Sequence, residues 1–526
     1  MRQATIVGLP MLALLGLAAC GGEDGPIVDY QAGIYPASTT FAARCANPRR
    51  LGTDPWTGNV WPDRPGSALH EKHFLRSWTN ELYLWFDEVL DRNPLDTGGS
   101  AGGVPEYFDL LRTTALTASG QPRDRFHFTF DTDLYRQQST SGVVLGHGIS
   151  WSVMRATPPR ELLVEFVQAG TEAAAEGVQR GATLLTLNGI DVVNDATQAG
   201  VDSINTTLFS PAAGSMHTMV FRDRGSTSTR TVTLAAANIA FEAVPTTDVI
   251  NVAGTSVGYL LFNDHTAPAE AQLKGAVEDL ADAGIDELVL DLRYNGGGFL
   301  EIASQLAYMI AGPGVTAGRA FERLQFNSKY PSLHPLTGQP IQPMSFHATT
   351  RNFSLPSGQT LPSLDLGRVY VLTSSLTCSA SESIINGLRG VGIEVIQIGG
   401  DTCGKPYGFY AQDNCGTTYF SIQFRGVNDV GFGDYVEGFS ATRMVGEPQA
   451  NLPGCAASDD FTRELGDPQE GQLQAALTHL QTGACPVMPL QKAQSGAPVA
   501  SWDGIDSPLA LRKPAPAPWR DNRILR

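Results

Sequence analysis

A serine-containing motif at residues 377–382 is the first feature of the sequence that could carry chemistry. Ser379 and Glu382 stand three residues apart, between an apolar stretch at 369–372 and another that begins at Ile384. This spacing fits the capping box of a helix start, which requires no catalytic role. The same placement presents the Ser379 hydroxyl at a strand-to-helix turn, where the first amides of the helix face any oxyanion that forms. Ser379 is therefore a candidate nucleophile.

A lysine downstream of this motif is a candidate base. Serine is a poor nucleophile until a base removes its proton, and a lysine can do so when burial favours its neutral amine. Lys405 lies between Gly404 and Pro406, a pair that suits a fixed turn. An ordinary solvated surface lysine is the alternative interpretation.

A run of three glycines follows another apolar strand. The segment at 291–298, Asp-Leu-Arg-Tyr-Asn-Gly-Gly-Gly, lets the backbone approach a ligand closely and aim amide groups at it. This composition suits an oxyanion hole, although a tight turn between a strand and a helix would look the same. The glycine-rich patterns of nucleotide-binding loops do not occur in it, so nucleotide binding is not indicated.

These three motifs require a framework that brings them together. From residue 239 onward, apolar strands alternate with amphipathic helices, which predicts a layered α/β core. The predicted strands of this core cover 257–262, 287–292 and 369–372. The predicted helices cover 269–283, 300–311 and 459–482, and an insertion punctuated by Pro and Gly covers 313–365.

Two further regions precede the core. An aromatic stripe with helical spacing predicts a helix over 74–89, ended by the Pro and Gly residues that follow it. A second helix is predicted over 106–116. Residues 142–237 indicate short strands joined by turns, with a hairpin signal at Asn188-Gly189.

Composition limits the classes of function. The chain has 526 residues, of which 42% are hydrophobic and 17% charged, as in globular proteins, and its net charge is −17. This acidic balance disfavours nucleic acid as a partner, because phosphate binding needs clustered Lys and Arg. The histidines show no metal-ligand spacing, so neither a metal nor another cofactor is predicted.

The first twenty residues are a targeting segment. Arg2 precedes an apolar stretch at 6–17 that is too short to span a bilayer, and small residues then lead to Cys20. This pattern resembles the bacterial lipoprotein signal, which implies cleavage before Cys20 and a lipid anchor on it. Gly21 favours the outer membrane, so we expect a cell-envelope lipoprotein on the periplasmic face of the outer membrane or on the cell surface. A secretory signal that merely contains a cysteine is the alternative.

Six cysteines remain once Cys20 is set aside, an even number that suits an oxidising compartment. The sequence alone cannot choose among the possible pairings, and buried unpaired thiols are an alternative. Closeness in the chain favours Cys403–Cys415 and Cys455–Cys485, with Cys45–Cys378 by elimination only.

Taken together, the three motifs resemble peptidase family S41, the tail-specific or carboxyl-terminal-processing proteases. In that family a DLRxNxGG motif, an S-A-S-E motif and a downstream G-K occur in this order, and here they are DLRYNGGG, CSASE and TCGKP. The resemblance covers residues 67–485 and includes ELYLWFDEV, FGDYVEGF and LGDPQEGQLQAAL. It implies that Ser379 is the nucleophile and Lys405 the general base of a Ser-Lys dyad.

The resemblance also implies the oxyanion hole and the fold. The backbone N–H of Ala380 and that of Gly297 or Gly298 would bind the oxyanion, within a crotonase-like core. Two features depart from the family pattern. Several members carry a third catalytic group, a Gln one turn after the Lys, where this chain has Phe409. The spacing from Ser to Lys is also one residue longer than its commonest form.

A fourth motif, Gly146-His147-Gly148-Ile149, opens the β-rich region. It resembles the carboxylate-binding loop of PDZ domains, which receives a peptide C-terminus on backbone amides while the peptide adds as a strand. The segment RGATLLTLNGI resembles a later PDZ segment, with Ala182 in place of the usual Asp. A glycine hairpin in an unrelated β domain is the alternative.

The sequence thus predicts a multidomain α/β protein, with a crotonase-like catalytic core, an N-terminal helical domain and a PDZ-like β domain. The predicted boundaries are 1–20 for a signal peptide, 21–66 for a tether, 67–140 for the helical domain, 141–238 for the PDZ-like domain, 239–485 for the catalytic domain and 486–526 for a disordered tail.

The predicted function is a serine endopeptidase of the cell envelope that cleaves unstructured or C-terminal segments of protein substrates, bound through their C-termini. The main alternative is a catalytically silent, peptide-binding lipoprotein on the same fold. An amidase or esterase with the same dyad is a second alternative. Cys378 as the nucleophile is a minor one, and a disulfide between Cys378 and Cys403 would shape or strain the site.

Overall fold

The computed structural model describes residues 29–49, 52–55, 58–97, 103–442, 448–486 and 511. The predicted signal peptide with Cys20, and all of the predicted tail except residues 486 and 511, lie outside these ranges. Within them, none of the helices combines the length and the apolar character that crossing a bilayer requires.

The N-terminal part of the chain is mainly helical. Its elements are β1 (Arg44–Cys45), β2 (Arg64–Pro65), α1 (Ala68–Leu82), α2 (Gly103–Asp109), β3 (Phe128–Asp131) and α3 (Thr132–Ser141), with 3-10 turns at Ser38–Thr40, Phe86–Glu88 and Pro94–Thr97. The helix predicted over 106–116 is therefore shorter and begins earlier, and α3 has no counterpart among the predicted elements.

The helix α1 is also shorter than its aromatic stripe predicts. It ends at Leu82, and the Leu84 amide then donates to the carbonyl of Ile422 (2.8 Å). Trp85 and Phe86 leave the helix and pack with side chains of the core. Tertiary contacts thus override the helical spacing of these residues.

The region from 143 to 240 is rich in strands. Its elements are β4 (Val143–Gly146), β5 (Ile149–Arg155), β6 (Glu161–Val167), α4 (Glu172–Ala175), β7 (Thr183–Leu187), β8 (Ile190–Asp191), α5 (Gln198–Phe209), β9 (Met216–Arg222), β10 (Thr229–Ala235) and β11 (Ala237–Ala240). The strands β10, β9, β7, β6 and β5 pair in that order, so β5 forms one edge of the sheet. The unpredicted helix α5 packs Val201 and Ile204 into the hydrophobic core of this region, beside Trp151 of β5.

The remainder of the chain forms the α/β core. Its helices are α6 (Ala269–Asp282), α7 (Leu300–Ala311), α8 (Pro313–Thr316), α9 (Ala380–Gly390) and α10 (Gly471–Thr482), with a 3-10 turn at Pro448–Ala450. Its strands are β12 (Thr246–Val252), β13 (Thr255–Leu261), β14 (Glu287–Asp291), β15 (Ala320–Phe326), β16 (Met344–Ser345), β17 (Arg368–Thr373), β18 (Glu394–Gly399), β19 (Tyr407–Gly408), β20 (Gln412–Asn414), β21 (Thr417–Phe420), β22 (Phe424–Val427) and β23 (Gly454–Cys455).

The main sheet of the core has the strand order β12-β13-β14-β17-β18-β23 and is parallel from β13 onward. The helices α6, α7 and α9 cover one face and share a hydrophobic cluster with Leu290 and Val371. The helix α10 packs on the opposite face, against Tyr259 and Leu372. Since the parallel strands end at the same edge, the loops after β13, β14 and β17 meet there.

The N-terminal part is joined closely to this core. The strand β3 pairs with β21, which extends a small core sheet by one strand from the N-terminal part. A second small sheet, with the order β16-β15-β22-β19, lies within the core and ends in the segment after Lys405. The N-terminal part therefore reaches the segments that surround the lysine.

The disulfides correct the pairing expected from closeness in the chain. The structure contains Cys45–Cys415, Cys378–Cys403 and Cys455–Cys485, so Cys403–Cys415 and Cys45–Cys378 are wrong and Cys455–Cys485 is right. Cys415 lies in the turn between β20 and β21, and the pairing of β21 with β3 turns it towards the N-terminal part. The pairing of Cys415 with Cys45 therefore follows from strand pairing between distant segments, and not from proximity in the chain.

The single described residue of the distal tail also departs from expectation. The predicted disordered tail includes Leu511, but the side chain of Leu511 is buried in the hydrophobic core of the β-rich region. Its amide donates to the carbonyl of Ala156 (3.1 Å). At this point the chain is packed against the β-rich region.

Candidate active site

The turn between β17 and α9 carries Ser379. Its φ of 64° and ψ of −119° lie in a region that residues other than glycine rarely adopt, and its side chain is buried. The preceding amide, that of Cys378, donates to the carbonyl of Asn295 (3.1 Å). Thr377 Oγ1 donates to the carbonyl of Leu292 (2.9 Å). Bonds to the neighbouring loop thus hold the strained serine in place.

The start of α9 faces the same turn. Ala380 occupies the first helical position, where a backbone amide has no partner inside its own helix. Such amides carry the positive end of the helix dipole and suit an anion. The Ala380 amide is therefore a suitable donor to an oxyanion formed at Ser379.

The buried carboxylate of Glu382 joins the serine turn to the lysine turn. Its Oε2 accepts hydrogen bonds from the amides of Ser379 (2.9 Å) and Lys405 (2.8 Å). Its Oε1 accepts from the amide of Gly404 (2.8 Å) and from Thr402 Oγ1 (2.6 Å). Burial raises the pKa of this carboxyl, while the hydrogen bonds from Thr402 and the backbone amides oppose that shift. One side chain thereby positions both predicted catalytic residues.

The side chain of Lys405 is enclosed. Its exposed fraction is 0%, which rules out the solvated surface lysine considered from the sequence. Its Nζ lies 4.8 Å from the ring centroid of Phe409 and 4.8 Å from that of Phe126. The turn before it depends on Gly404, whose φ is +83° and where a Cβ would lie 2.2 Å from the carbonyl oxygen of Val436.

A disulfide fastens the two turns a second time. Cys378 and Cys403 have Cα atoms 5.1 Å apart, and the Cys403 amide donates to the carbonyl of Thr377 (3.0 Å). Because its sulfur is bonded to Cys403, Cys378 is not available as the nucleophile, which corrects the minor alternative.

The same cysteines and Glu382 form a cluster of three potential metal ligands. The two sulfur atoms of Cys378 and Cys403 are bonded to each other, and the carboxylate is occupied by four hydrogen-bond donors. The cluster therefore does not suit a metal ion while the disulfide is intact.

The glycine loop after β14 lies beside the serine turn. The carbonyl of Asn295 accepts from Ser381 Oγ (3.0 Å), and its side-chain oxygen accepts from the Gly297 amide (3.0 Å). A parallel bridge to His265 uses the carbonyl of Gly297, so the Gly298 amide points to the opposite side. With the Gly297 amide engaged by Asn295, Gly298 is the better oxyanion donor of the predicted pair.

A buried charge network links the β-rich region to this loop. Arg180, just before β7, donates to Tyr294 Oη (2.7 Å) and to Asp459 (2.5 Å). Asp459 also accepts from Tyr294 and from Arg293 (2.9 Å), which pairs with Glu470 (2.7 Å). Burial would raise the pKa of Asp459, but Arg180 and Arg293 outweigh burial and hold that pKa below its ordinary value.

The Gly146–Ile149 loop lies apart from the serine and lysine turns. Gly146 ends β4, Ile149 begins the edge strand β5, and the carbonyl of Gly148 accepts from the Gln168 amide (2.8 Å). The side chain of His147 is buried and shares a hydrogen bond with His217 (2.8 Å). Burial, with His217 as a second cause, lowers the pKa of His147 to about 4. The His147 ring therefore packs inside the β-rich region and supports the loop, and it does not face a ligand.

Sequence patterns miss several residues of this site. Phe126, beside Lys405, and Arg125, which donates to the carbonyl of Cys403 (2.6 Å), come from the N-terminal part, and no local pattern marks them. Glu382 is recognisable as a cap, but its bonds to the lysine turn are long-range contacts. Asn295 lies within the quoted glycine motif, which was the available signal for its role.

Comparison with known proteins shows which protein family the region around this site resembles. Residues 256–408 match the model of peptidase family S41. The chain is 27% identical over 170 residues to a carboxyl-terminal-processing protease of Picosynechococcus sp., a match that spans 32% of this chain and 39% of that protein. It is 27% identical over 245 residues to the chloroplastic C-terminal processing peptidase of Tetradesmus obliquus, across 44% of this chain and 49% of that one. The matches thus span less than half the length of these relatives.

A solved structure assigned to the S41 proteases, from Bacteroides fragilis, shares the fold. It superimposes with a TM-score of 0.56 at 21% identity, over 78% of this chain and 97% of that one. Ser379, in the β17–α9 turn, and Lys405 both lie within the matched residues 256–408. Residues 256–408 of the chain therefore form a domain that matches peptidase family S41.

Proposed function

We propose that this protein is a serine endopeptidase of the carboxyl-terminal-processing type that uses a Ser379–Lys405 dyad. One observation carries the proposal: the buried Glu382 carboxylate binds the backbone amides of both residues, in addition to the Cys378–Cys403 disulfide between their turns. A glutamate that only caps helix α9 needs only the hydrogen bond from the Ser379 amide. Anchoring a buried lysine to the same carboxylate is the preorganisation that catalysis requires.

The reaction is acyl transfer to serine. The neutral amine of Lys405 takes the proton of Ser379 Oγ, and the oxygen attacks the carbonyl carbon of the scissile peptide bond. The Lys405 ammonium then gives its proton to the leaving amine as the tetrahedral intermediate collapses. A water molecule releases the acyl group from Ser379, with Lys405 again acting as the base.

Backbone amides stabilise the oxyanion of the tetrahedral intermediates. The Ala380 amide lies at the start of α9, and the Gly298 amide points away from its bridge to His265. The Gly297 amide, also predicted for this role, contributes indirectly by fixing the loop through Asn295. Loss of one such donor typically costs about 10²- to 10³-fold in kcat.

Substrates are unstructured protein segments that arrive by their C-termini. We propose that the Gly146–Ile149 loop, as in PDZ domains, takes the terminal carboxylate on its backbone amides while the segment adds to the edge strand β5. The position of β5 at a sheet edge supports this mode, since an edge strand has backbone groups to share. The core is proposed to be crotonase-like.

The protein is further proposed to work in the cell envelope, held to the membrane by a lipid on Cys20. Three disulfides among the described residues support an oxidising compartment. Mass spectrometry of the membrane fraction from cells that express the full chain tests the anchor. A mature N-terminus at Cys20 that carries acyl chains is expected, and an unmodified Cys20 would contradict it.

The activity is tested by degradation of fluorescein-labelled casein, an unstructured protein, by the chain from residue 21 onward. The wild type is expected to cleave casein, whereas Ser379→Ala and Lys405→Ala remain folded and lose cleavage. An inert wild type that binds C-terminal peptides would instead favour the catalytically silent scaffold. Fast hydrolysis of small esters without peptide cleavage would favour an esterase.

A further inference from the structure

The chamber around the Lys405 amine is built from two distant parts of the chain. Phe409 comes from the core, four residues after Lys405, whereas Phe126 comes from the N-terminal part, just before β3. The two rings lie at the same distance from Nζ, 4.8 Å to each centroid. The N-terminal part is thus one wall of the site that holds the proposed base.

This wall is itself rigid. The side chain of the buried Asp124 accepts the Phe126 amide (3.1 Å) and the Tyr83 hydroxyl (2.6 Å). The neighbouring His127 is also buried, and its Nε2 shares a hydrogen bond with the carbonyl of Phe108 (3.0 Å). The segment 124–127 is therefore fixed before any substrate binds, as a positioning element must be.

Arg125 extends from the same segment to the lysine turn. Its Nη2 donates to the carbonyl of Cys403 (2.6 Å), two residues before Lys405, and to that of Val436 (3.4 Å). The central carbon of its guanidinium lies 4.9 Å from the centroid of the Phe126 ring. A second cation therefore contacts the ring that lines the Lys405 amine, and a hydrogen bond ties it to the turn that carries the lysine.

A cation in this position favours the form of Lys405 that the reaction needs. Arg stays protonated at all relevant pH values, and a like charge nearby disfavours an ammonium group. Enzymes that use a lysine amine employ a neighbouring cation in this way. A general base must be neutral to accept a proton, so a positive neighbour enlarges the active fraction at neutral pH.

Other ionisable groups surround the lysine turn, among them Arg123, Arg425 and Asp434, which act on Tyr407. Glu382 faces the turn from α9 and accepts its backbone amides, including that of Lys405. The phenol of Tyr407 lies in the next strand, and burial raises its pKa to about 12, so it is uncharged near neutral pH. Glu437 faces Arg125 from the opposite loop, with its carboxylate bound to Ser119 (2.6 Å to Oγ). Of these neighbours, Arg125 is the cation that also bonds to the lysine turn.

Resting on the proposed function, we propose that Arg125 is a positioning residue for Lys405. It fixes the 403–405 turn through the Cys403 carbonyl, and its positive charge favours the neutral amine of Lys405. The N-terminal part would then complete the active site of the core rather than act only as a connection to a tether.

The test measures kcat and KM for casein across pH 6–10 in the wild type and in Arg125→Gln, Arg125→Met and Arg125→Lys. Both neutral variants are expected to move the midpoint of the acidic limb of kcat/KM upward by about one pH unit and to lower kcat at pH 7 by about tenfold, with KM within about twofold. Arg125→Lys keeps the charge and is expected to keep the midpoint, with a smaller fall in kcat. The exposed Arg112, from the same part of the chain, provides the matched control Arg112→Gln, which should behave as the wild type.

The outcomes separate this proposal from the one on which it rests. Casein cleavage that disappears in Ser379→Ala but keeps the wild-type midpoint in Arg125→Gln and Arg125→Met contradicts the role of Arg125 alone. An inactive wild type contradicts the protease itself. If kcat falls equally in all three Arg125 variants and the midpoint does not shift, Arg125 contributes only a structural hydrogen bond and its charge does not act on Lys405. Melting temperatures identify a variant that fails to fold. If Arg125→Gln fails, the midpoint measured in Arg125→Met, which fills the volume of the arginine stem, tests the role of Arg125.

Discussion

The serine and lysine turns and the Gly146–Ile149 loop both depend on glycines, yet they are held in different ways. The serine and lysine turns are joined by a carboxylate, a disulfide and backbone bonds from separate elements. The Gly146–Ile149 loop is supported by its own region, through the Gln168 amide and the His147–His217 pair. A reacting site must be fixed in advance, whereas the loop proposed to bind peptides would have to admit a new strand beside β5.

The two regions are nevertheless connected. Arg180 of the β-rich region binds Tyr294 and Asp459, and the carbonyl of Arg293, next to Tyr294, accepts a hydrogen bond from Ser374 in the approach to the serine turn. This arrangement links the β-rich region to the loop beside the serine turn. Substitutions in the supports of either region, or in the connection between them, should distinguish the two, with effects that range from loss of cleavage to a small change in kcat.

Removal of the shared carboxylate should have the largest effect. Glu382→Ala leaves the amides of Ser379, Gly404 and Lys405 without their acceptor, so both catalytic groups lose their positions. We expect cleavage of casein to fall by about 10⁴-fold. Glu382→Gln keeps one acceptor oxygen and should retain more activity; equal activity in Glu382→Ala and the wild type would contradict the positioning role.

The buried Glu322 should make the core less stable as pH rises from 4.5 to 8. Burial raises its pKa to about 8, from 4.5 in an unfolded chain. Between those values the folded state keeps a proton that the unfolded state has lost, so stability falls as pH rises through this window, by up to about 5 kcal/mol. Glu322→Gln should therefore be more stable than the wild type at pH 9 and similar to it at pH 4. Urea unfolding at both pH values measures the difference, and parallel pH profiles of the two proteins would refute it.

Loss of the connecting arginine should weaken the joint between the regions. Arg180→Met leaves Asp459 buried with one cation fewer, which should lower the free energy of unfolding by about 3 kcal/mol. Thermal unfolding followed by tryptophan fluorescence measures this loss. Arg224→Met is the control, because its ion pair with Glu464 is more exposed to solvent. If Arg180→Met loses no more unfolding free energy than Arg224→Met does, Arg180 does not stabilise the contact between the two regions.

The histidine pair should make the β-rich region sensitive to acid. The pKa of His147 is about 4 when folded, against 6.5 in an unfolded chain. As pH falls from 6.5 to 4, the unfolded state binds a proton that the folded state does not bind, so the free energy of unfolding falls by about 3 kcal/mol. His147→Gln should flatten this part of the profile and leave the profile above pH 7 unchanged. A slope that persists in His147→Gln would assign the acid sensitivity to other groups.

Removal of the disulfide beside the serine should have the smallest effect on activity. The double variant Cys378→Ala, Cys403→Ala keeps the Glu382 bonds, so we expect a fall in kcat of about tenfold rather than complete loss. The control Cys455→Ala, Cys485→Ala removes a disulfide that lies outside the site and should keep its kcat. Similar kcat values for both double variants would show that the turns keep their positions without this disulfide.

The sequence predicts well what depends on local pattern. The helix expected over 300–311 is found as Leu300–Ala311, and the strand-to-helix turn with Ser379 is present, because apolar periodicity and capping are local properties. The end of α1 and two of the disulfides are missed, because contacts between distant segments decide them. Arg125 and Phe126 escape for the same reason: their contacts with the Cys403 carbonyl and with Lys405 arise only when β3 is placed against β21.

The rate of covalent labelling by a fluorophosphonate, which reacts with activated serines, tests the dyad most directly. Peptide mass spectrometry should locate a single label on Ser379, with a labelling rate that rises with pH in the wild type. Lys405→Met should fold normally and label about 10²- to 10⁴-fold more slowly. A label on another residue, or equal labelling rates in Lys405→Met and the wild type, would contradict a Ser379–Lys405 dyad.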